Sequence, residues 1–337
     1  MTRLVMQRTK LATEKIGFHL DVRQEVGRGL SSRFLIPPFS VFRANDGAWL
    51  RRKRQWLALG IESEIGRGGN LLKMSSEMAQ LKRKKRSTGC LFKSNESGFF
   101  AEQIAKRGGG TSVFDPILCE LSYNWWCPKG GQIIDPFAGG SVRGIIAAYM
   151  GYKYWGCELR PEQVAANIEQ GARIVPDNIP EWVCGNSWFA LKKAPNADFL
   201  FTCPPYGNLE VYSEIDGDLS NIKGYSNFLL SYSHIIKRAC NHLKNDRFAC
   251  IVVANFRDKQ GFYHNFVGDT INIFENSGLR FYNDGILVTS IGTLPLRVDK
   301  QFSGYRKLGK THQNVLVFYK GDTKQIRGNF NDITESE

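Results

Sequence analysis

The sequence predicts a doubly wound α/β fold, with a mostly parallel sheet and an antiparallel strand near the C-terminus. Three observations lead there. From Thr111 onward, short apolar runs alternate with amphipathic stretches. The apolar runs are continuous, as expected of strands buried on both faces. Near the end, LRFYNDGILVTS and NVLVFYKG follow one another with no helical pattern between them, so one of the pair should run antiparallel.

The elements follow in order. GQIIDPF reads as a strand and VRGIIAAYMG as a helix. YKYWGCEL is the next strand, and PEQVAANIEQGARI a helix with Pro161 in its first turn, where a missing N–H costs nothing. EWVCGNS and ADFLFTCPP are strands, followed by the long helix GYSNFLLSYSHIIKRACNHL. RFACIVVANF is a strand, and FYHNFVGDTINIFENSG a helix ending at Gly278. Upstream, FLIPPFSVF is an extended segment stiffened by Pro37 and Pro38, and GAWLRRKRQWLALG a short helix or strand–turn anchored by Trp49 and Trp56.

Composition narrows the class. The 337 residues are 42% hydrophobic and 23% charged, which excludes collagen, coiled coil and wholesale disorder. No apolar run approaches the ~18 residues of a membrane span, and the N-terminus has no signal-like apolar core. The eight cysteines form no C-x-x-C pair and have no histidine cluster beside them, so neither a metal nor a disulfide framework is expected, and reduced thiols fit a cytoplasmic location. Charge is uneven: residues 1–100 hold 20 Lys/Arg against 8 Asp/Glu, whereas residues 101–337 hold 25 against 24. A polyanionic partner or a solubilising tail explains such an excess.

Three motifs carry chemistry. In IIDPFAGGSVRG a strand ends at Asp135, and a turn through Pro136, Phe137, Ala138, Gly139 and Gly140 feeds a helix. Glycines there permit close backbone approach by a ligand at a helix N-terminus, or simply tight packing. A nucleotide phosphate loop would require a Lys after the glycines, and none is present. Glu158 ends the next strand, 23 residues beyond Asp135, the spacing of an acid that accepts ribose hydroxyls; the other reading is a helix-start acid favoured by the dipole. Cys203-Pro204-Pro205-Tyr206 ends a later strand. Two prolines stiffen that turn, leave the Pro204 carbonyl free of ladder duty and present Tyr206 as a flat stacking face.

Together these motifs resemble the S-adenosylmethionine-dependent methyltransferases that modify exocyclic amino groups of DNA bases, adenine N6 or cytosine N4. The resemblance covers about residues 111–320 and implies a Rossmann-like methyltransferase sheet. It implies a cofactor loop at Phe137–Ser141, with Ser141 in place of the family's last glycine, a ribose acid at Glu158, and an adenine contact at Asn186, where the family usually has an acid. Phe114 and Asp115 fall in the segment that resembles the family's cofactor-covering motif. Cys203 to Tyr206 correspond to the (D/N/S)-PP-(Y/F) signature that binds the target amino group, with Cys203 departing at its first position. The upstream and C-terminal segments resemble phage and prophage DNA modification methylases.

The resemblance implies S-adenosylmethionine as cofactor and DNA as partner, with an RNA or protein-amide methyltransferase, or a DNA-binding protein with a decayed cofactor site, as the alternatives. The organisation read from the sequence is a basic arm at 1–110, a methyltransferase domain at 111–321 and a tail without structure of its own at 322–337. Candidate nucleic-acid contacts are Arg51, Arg52, Lys53 and Arg54 in the arm, and Arg297, Lys300, Arg306, Lys307 and Lys310 between the last two strands. The acidic segment LEVYSEIDGDLS after the CPPY turn reads as a solvated loop or a pocket lid.

Overall fold

The structure, a computed structural model, describes residues 30, 34–62, 114–206, 215, 217–289, 291 and 294–330, without the side chains of Leu296 and Arg297. Residues 63–113, which include Cys90, and most of LEVYSEIDGDLS therefore lie outside the described residues. The chain divides into a main unit, Val41–Phe330, and a second unit of Met1–Ser40 with Asn331–Glu337.

The main unit is built on one eight-stranded sheet. Its strands are β1 (Val41–Arg43), β2 (Gln132–Asp135), β3 (Lys153–Glu158), β4 (Glu181–Cys184), β5 (Ala197–Thr202), β6 (Leu243–Val253), β7 (Arg280–Val288) and β8 (His312–Lys320). Their spatial order is β1-β7-β8-β6-β5-β2-β3-β4. All neighbouring pairs are parallel except those made by β8, which runs antiparallel to both β6 and β7. The connecting helices are α1 (Gly47–Leu57), α2 (Pro116–Trp126), α3 (Val142–Tyr149), α4 (Pro161–Ile174), α5 (Ser187–Ala190), α6 (Tyr225–His242), α7 (Phe266–Glu275), α8 (Pro295–Tyr305) and α9 (Ile326–Asn329).

Period-two alternation sorts the core into two layers. Ile134, Leu200, Ile251 and Leu316 meet Phe228, Tyr232 and Phe266 from α6 and α7. The alternate positions Phe199 and Phe201 meet Tyr123 of α2, at ring separations of 6.3 and 5.4 Å. Both sheet faces are thus covered, which is why the strands read as unbroken apolar runs.

The structure departs from the sequence reading in three places. A helix, α8, does lie between β7 and β8. It buries no side chain among those described, so it lacks the broad apolar stripe that marks a helix in sequence. The reversal of β8 stands, but not for the reason inferred from the sequence. Second, Val41–Glu62 packs within the main unit although it precedes residue 110: β1 pairs with β7, and Phe42 is buried against Trp125, 6.0 Å between rings. Third, residues 322–330 fold as a turn and α9, and Phe330 packs on Phe248 at 5.1 Å. An aromatic ring beside an open apolar neighbour supplies the order that composition alone did not suggest.

Among the described residues the seven cysteines are unpaired, no group of metal-ligating side chains converges, and no helix is long and apolar enough to cross a membrane.

Candidate active site at the C-terminal edge of the sheet

In open α/β sheets ligands bind beyond the C-terminal ends of the strands, where the connections diverge. The glycine loop after β2, Glu158 at the end of β3, Asn186 after β4 and the CPPY turn after β5 all lie on that edge. Since β5 and β3 both pair with β2, the motifs are brought side by side from positions up to 71 residues apart in sequence.

Asp135 organises the loop from beneath. It is fully buried, and its carboxylate accepts from Thr202 Oγ1 at 2.6 Å, Tyr154 OH at 2.7 Å, Arg143 Nε at 2.6 Å and the Phe137 N–H at 3.1 Å. A buried charge is tolerated when paired and hydrogen-bonded in this way. Burial alone would push the Arg143 guanidinium down, but Asp135 beside it carries it above the usual arginine range. The Asp135 carboxylate thus ties β3, β5 and α3 to the start of the glycine loop.

Arg143 is the residue that sequence reasoning missed. It projects from α3 under the loop and donates to the carbonyls of Phe137 and Ala138, the latter at 3.0 Å. In the Ala138–Gly139 peptide, the carbonyl therefore points to Arg143 and the N–H points to Glu158 Oε2 at 3.0 Å. Gly139 has φ of +54°, the left-handed region that a β-branched side chain resists. Asn167 of α4 completes the clamp, donating to the Gly139 carbonyl at 2.8 Å. Ser141, at the N-cap of α3, spends its hydroxyl on Gln170 at 3.2 Å and makes no side-chain cap.

Glu158 is 14% exposed and accepts the Gly139 and Arg160 N–H groups, 3.0 and 3.1 Å, with Arg160 Nε at 3.4 Å. These contacts orient the carboxylate toward the glycine loop. Asn186 caps α5, accepting from Trp188 N–H at 2.9 Å, and its amide nitrogen lies against Gly217, whose φ is +88°. Asp218, one of the four acids of LEVYSEIDGDLS, is buried and bonds Ser220, so it holds the loop rather than facing solvent.

The CPPY turn is partly buried. Cys203 Sγ lies 3.7 Å from the Tyr206 hydroxyl, and that hydroxyl accepts from Gln313 Nε2 of β8 at 2.7 Å. Phe266 meets the Tyr206 ring edge-on at 6.3 Å. Gln313 stands 107 residues from Tyr206, and nothing in the local pattern marks it.

Phe114 reaches the site, edge-to-face with Phe201 at 5.6 Å and 4.6 Å from the Arg143 guanidinium. Its neighbour Asp115 does not. Asp115 caps α2 through Ile117 N–H at 2.9 Å, and accepts from Trp49 Nε1 at 3.1 Å and Lys53 Nζ at 3.0 Å of α1. The Asp115 carboxylate thus joins α2 to α1 and holds the Lys53 ammonium. Arg52 likewise pairs in bidentate fashion with Glu120, which also accepts from Trp56 Nε1 at 2.7 Å. Arg51 and Arg54 remain exposed on α1. Lys300 and Arg306 are exposed on and after α8, Lys307 and Lys310 are partly buried, and the Arg297 side chain lies outside the described residues.

No family model and no curated protein matches the chain. Solved structures match with low identity. TrmN from Thermus thermophilus is 12% identical, over 61% of this chain and 48% of that one, with a TM-score of 0.41. A TehB-like SAM-dependent methyltransferase from Corynebacterium glutamicum is 17% identical over 67% and 98%, at 0.38. A methyltransferase from Pyrococcus furiosus is 14% identical over 74% and 100%, at 0.43. The chain thus spans about half the length of the first and nearly all of the other two.

Proposed function

We propose that this protein transfers the methyl group of S-adenosylmethionine to an exocyclic amino group of a DNA base, adenine N6 or cytosine N4. One observation carries the reading: a glycine loop clamped to a strand-end carboxylate sits beside a proline-stiffened CPPY turn on the same sheet edge. The residues fit the cofactor. Glu158 would accept ribose hydroxyls, the uncapped first turn of α3 would receive the carboxylate of the methionine part, and Asn186 and Phe114 would flank the adenosine.

When bound, the cofactor supplies an electrophilic methyl group on a sulfonium. This chain's residues supply position. The Pro204 carbonyl would accept one hydrogen of the target amino group and so fix the direction of its lone pair. The Tyr206 ring stacks the extruded base, with its hydroxyl fixed by Gln313. Cys203 is a weak acceptor compared with a carboxylate, so orientation and exclusion of water carry more of the rate.

The test has two arms. Gly139→Val and Glu158→Ala should each weaken S-adenosylhomocysteine binding at least tenfold by isothermal titration, whereas Tyr206→Ala should keep that affinity and lose transfer at least 100-fold. Labelled-methyl transfer to DNA, RNA and protein, followed by nucleoside digestion, reads out the acceptor. Methylated RNA or protein alone would replace the DNA assignment, and no transfer with intact DNA binding would leave a binding protein.

A further inference from the structure

A second cluster lies on the same edge, outside the CPPY turn and the cofactor loop. After β6 the chain makes a tight loop, 257–263. Asp258 closes it by accepting the Gly261 and Phe262 N–H groups at 2.7 and 2.9 Å. Arg257 pairs with Tyr263 across the loop, lays its guanidinium 3.8 Å from the centre of that ring and donates to the Gly261 carbonyl at 2.7 Å. From the β8 side, Lys310 brings its ammonium 5.7 Å from the same ring and donates to the Asn255 carbonyl at 3.1 Å. Lys307 lies against Gly261 and 5.2 Å from Tyr305. Two cations from two segments thus share the Tyr263 ring, and a third, Lys307, lies against the same loop.

Their partners are rings and carbonyls. Among the described residues, none of Arg257, Lys307 and Lys310 has an ion pair with a carboxylate. Burial, and the Arg257 charge second, hold the Lys310 amine below its usual range. Phe262, 71% exposed, stands at the rim beside Tyr263. Position supplies the last link. Lys310 is three residues before Gln313, whose amide holds Tyr206.

We propose that Arg257, Lys307 and Lys310 bind a backbone phosphate of the nucleic-acid strand next to the target base, with Phe262 as the stacking face for a neighbouring base. This rests on the methyltransferase reading for the identity of the strand, not for the anion site itself. Basic side chains interleaved with exposed rings match a phosphate–base alternation, whereas a free anion would have no use for the rings.

The experiment is fluorescence anisotropy with a labelled 16-nucleotide DNA, single-stranded and duplex, over a salt series. Arg257→Gln and Lys310→Gln should each lower the log–log salt slope on duplex by roughly 0.9 and weaken binding at low salt severalfold. Phe262→Ala should weaken single-strand binding without changing the slope. S-adenosylhomocysteine affinity should stay at the wild-type value in all three, which also certifies the fold. Unchanged slopes in both charge variants, or no DNA binding by wild type, overturn the site. Binding of anionic phospholipid vesicles in place of DNA, abolished by the same variants, would also overturn it in favour of a membrane surface. Failure of wild type to bind S-adenosylhomocysteine, with the slopes shifting as expected, would defeat the methyltransferase reading and leave the phosphate site standing.

Discussion

Helix α1 and the segment from α8 to β8 are both rich in cations: Arg51 to Arg54 in one, Lys300, Arg306, Lys307 and Lys310 in the other. In α1 the inward pair is consumed by structure. Arg52 meets Glu120, whose side chain is 3% exposed, and Lys53 meets Asp115. Along α8–β8 the cations face rings and carbonyls, with Arg306 over Phe302 at 5.5 Å, Lys307 over Tyr305 and Lys310 beside Tyr263. Basic composition therefore says little until the partners are known. A lysine or arginine matched to a buried carboxylate is part of the scaffold, and one that lacks such a partner is available to an external anion.

The largest effect tests the first half of this contrast. Glu120→Ala removes the acceptor for both Arg52 and Trp56 Nε1, and breaking a buried pair costs about 3 kcal/mol. Urea unfolding measures it, and a loss below about 1 kcal/mol would mean the pair behaves as a surface bridge. Next comes Arg52→Gln, which leaves Glu120 charged and partly unsatisfied at a cost of about 2 kcal/mol. Its salt slope for DNA should match wild type; a flatter slope would return Arg52 to the nucleic-acid interface. Arg51→Gln with Arg54→Gln should do the opposite, staying within about 0.5 kcal/mol of wild type in stability. If those exposed cations meet phosphates, that pair lowers the slope by roughly 0.9 for each contact.

The smallest effect sharpens the second half. Arg257 and Tyr263 face Lys310 from the 257–263 loop, His312 from β8, and the Asn255 carbonyl accepts from its amine. An amine contributes to anion binding only while protonated, so affinity is full below its pKa and falls as pH rises through it. Because that pKa is lowered, the fall should begin before the usual lysine range. Lys310→Arg, charged throughout, should flatten the profile in an anisotropy titration between neutral and alkaline pH.

How far the sequence reveals this molecule depends on the range of each interaction. The strands flanking the CPPY turn and the glycine loop were legible because burial on two faces leaves a continuous apolar run, and because prolines and glycines punctuate locally. Helix α4 matches its sequence signal at both ends, from Pro161 to Ile174. Glu120 and Arg52, by contrast, are 68 residues apart, and Gln313 and Tyr206 are 107 apart. No periodicity connects such pairs. The inward role of Asp135 was equally hidden, since a strand-end acid looks the same whether it faces a ligand or four internal donors. Arg143 was masked by its setting, a charged residue within an apolar helical run where burial was not expected.

The docking of Glu62 and Phe114 has a consequence for how this chain tolerates change. Glu62 gives both its N–H and its carbonyl to the Gln170 side chain, at 2.8 and 2.9 Å, and Gln170 in turn takes the Ser141 hydroxyl. Phe114 rests on Arg143. Glu62, through Gln170, and Phe114, directly, are therefore tethered to positions two apart at the start of α3, Ser141 and Arg143. Each anchor point is held by its own bonds, Glu62 by Gln170 and Phe114 by Arg143, so either mooring can be cut by a single substitution while the other stays in place.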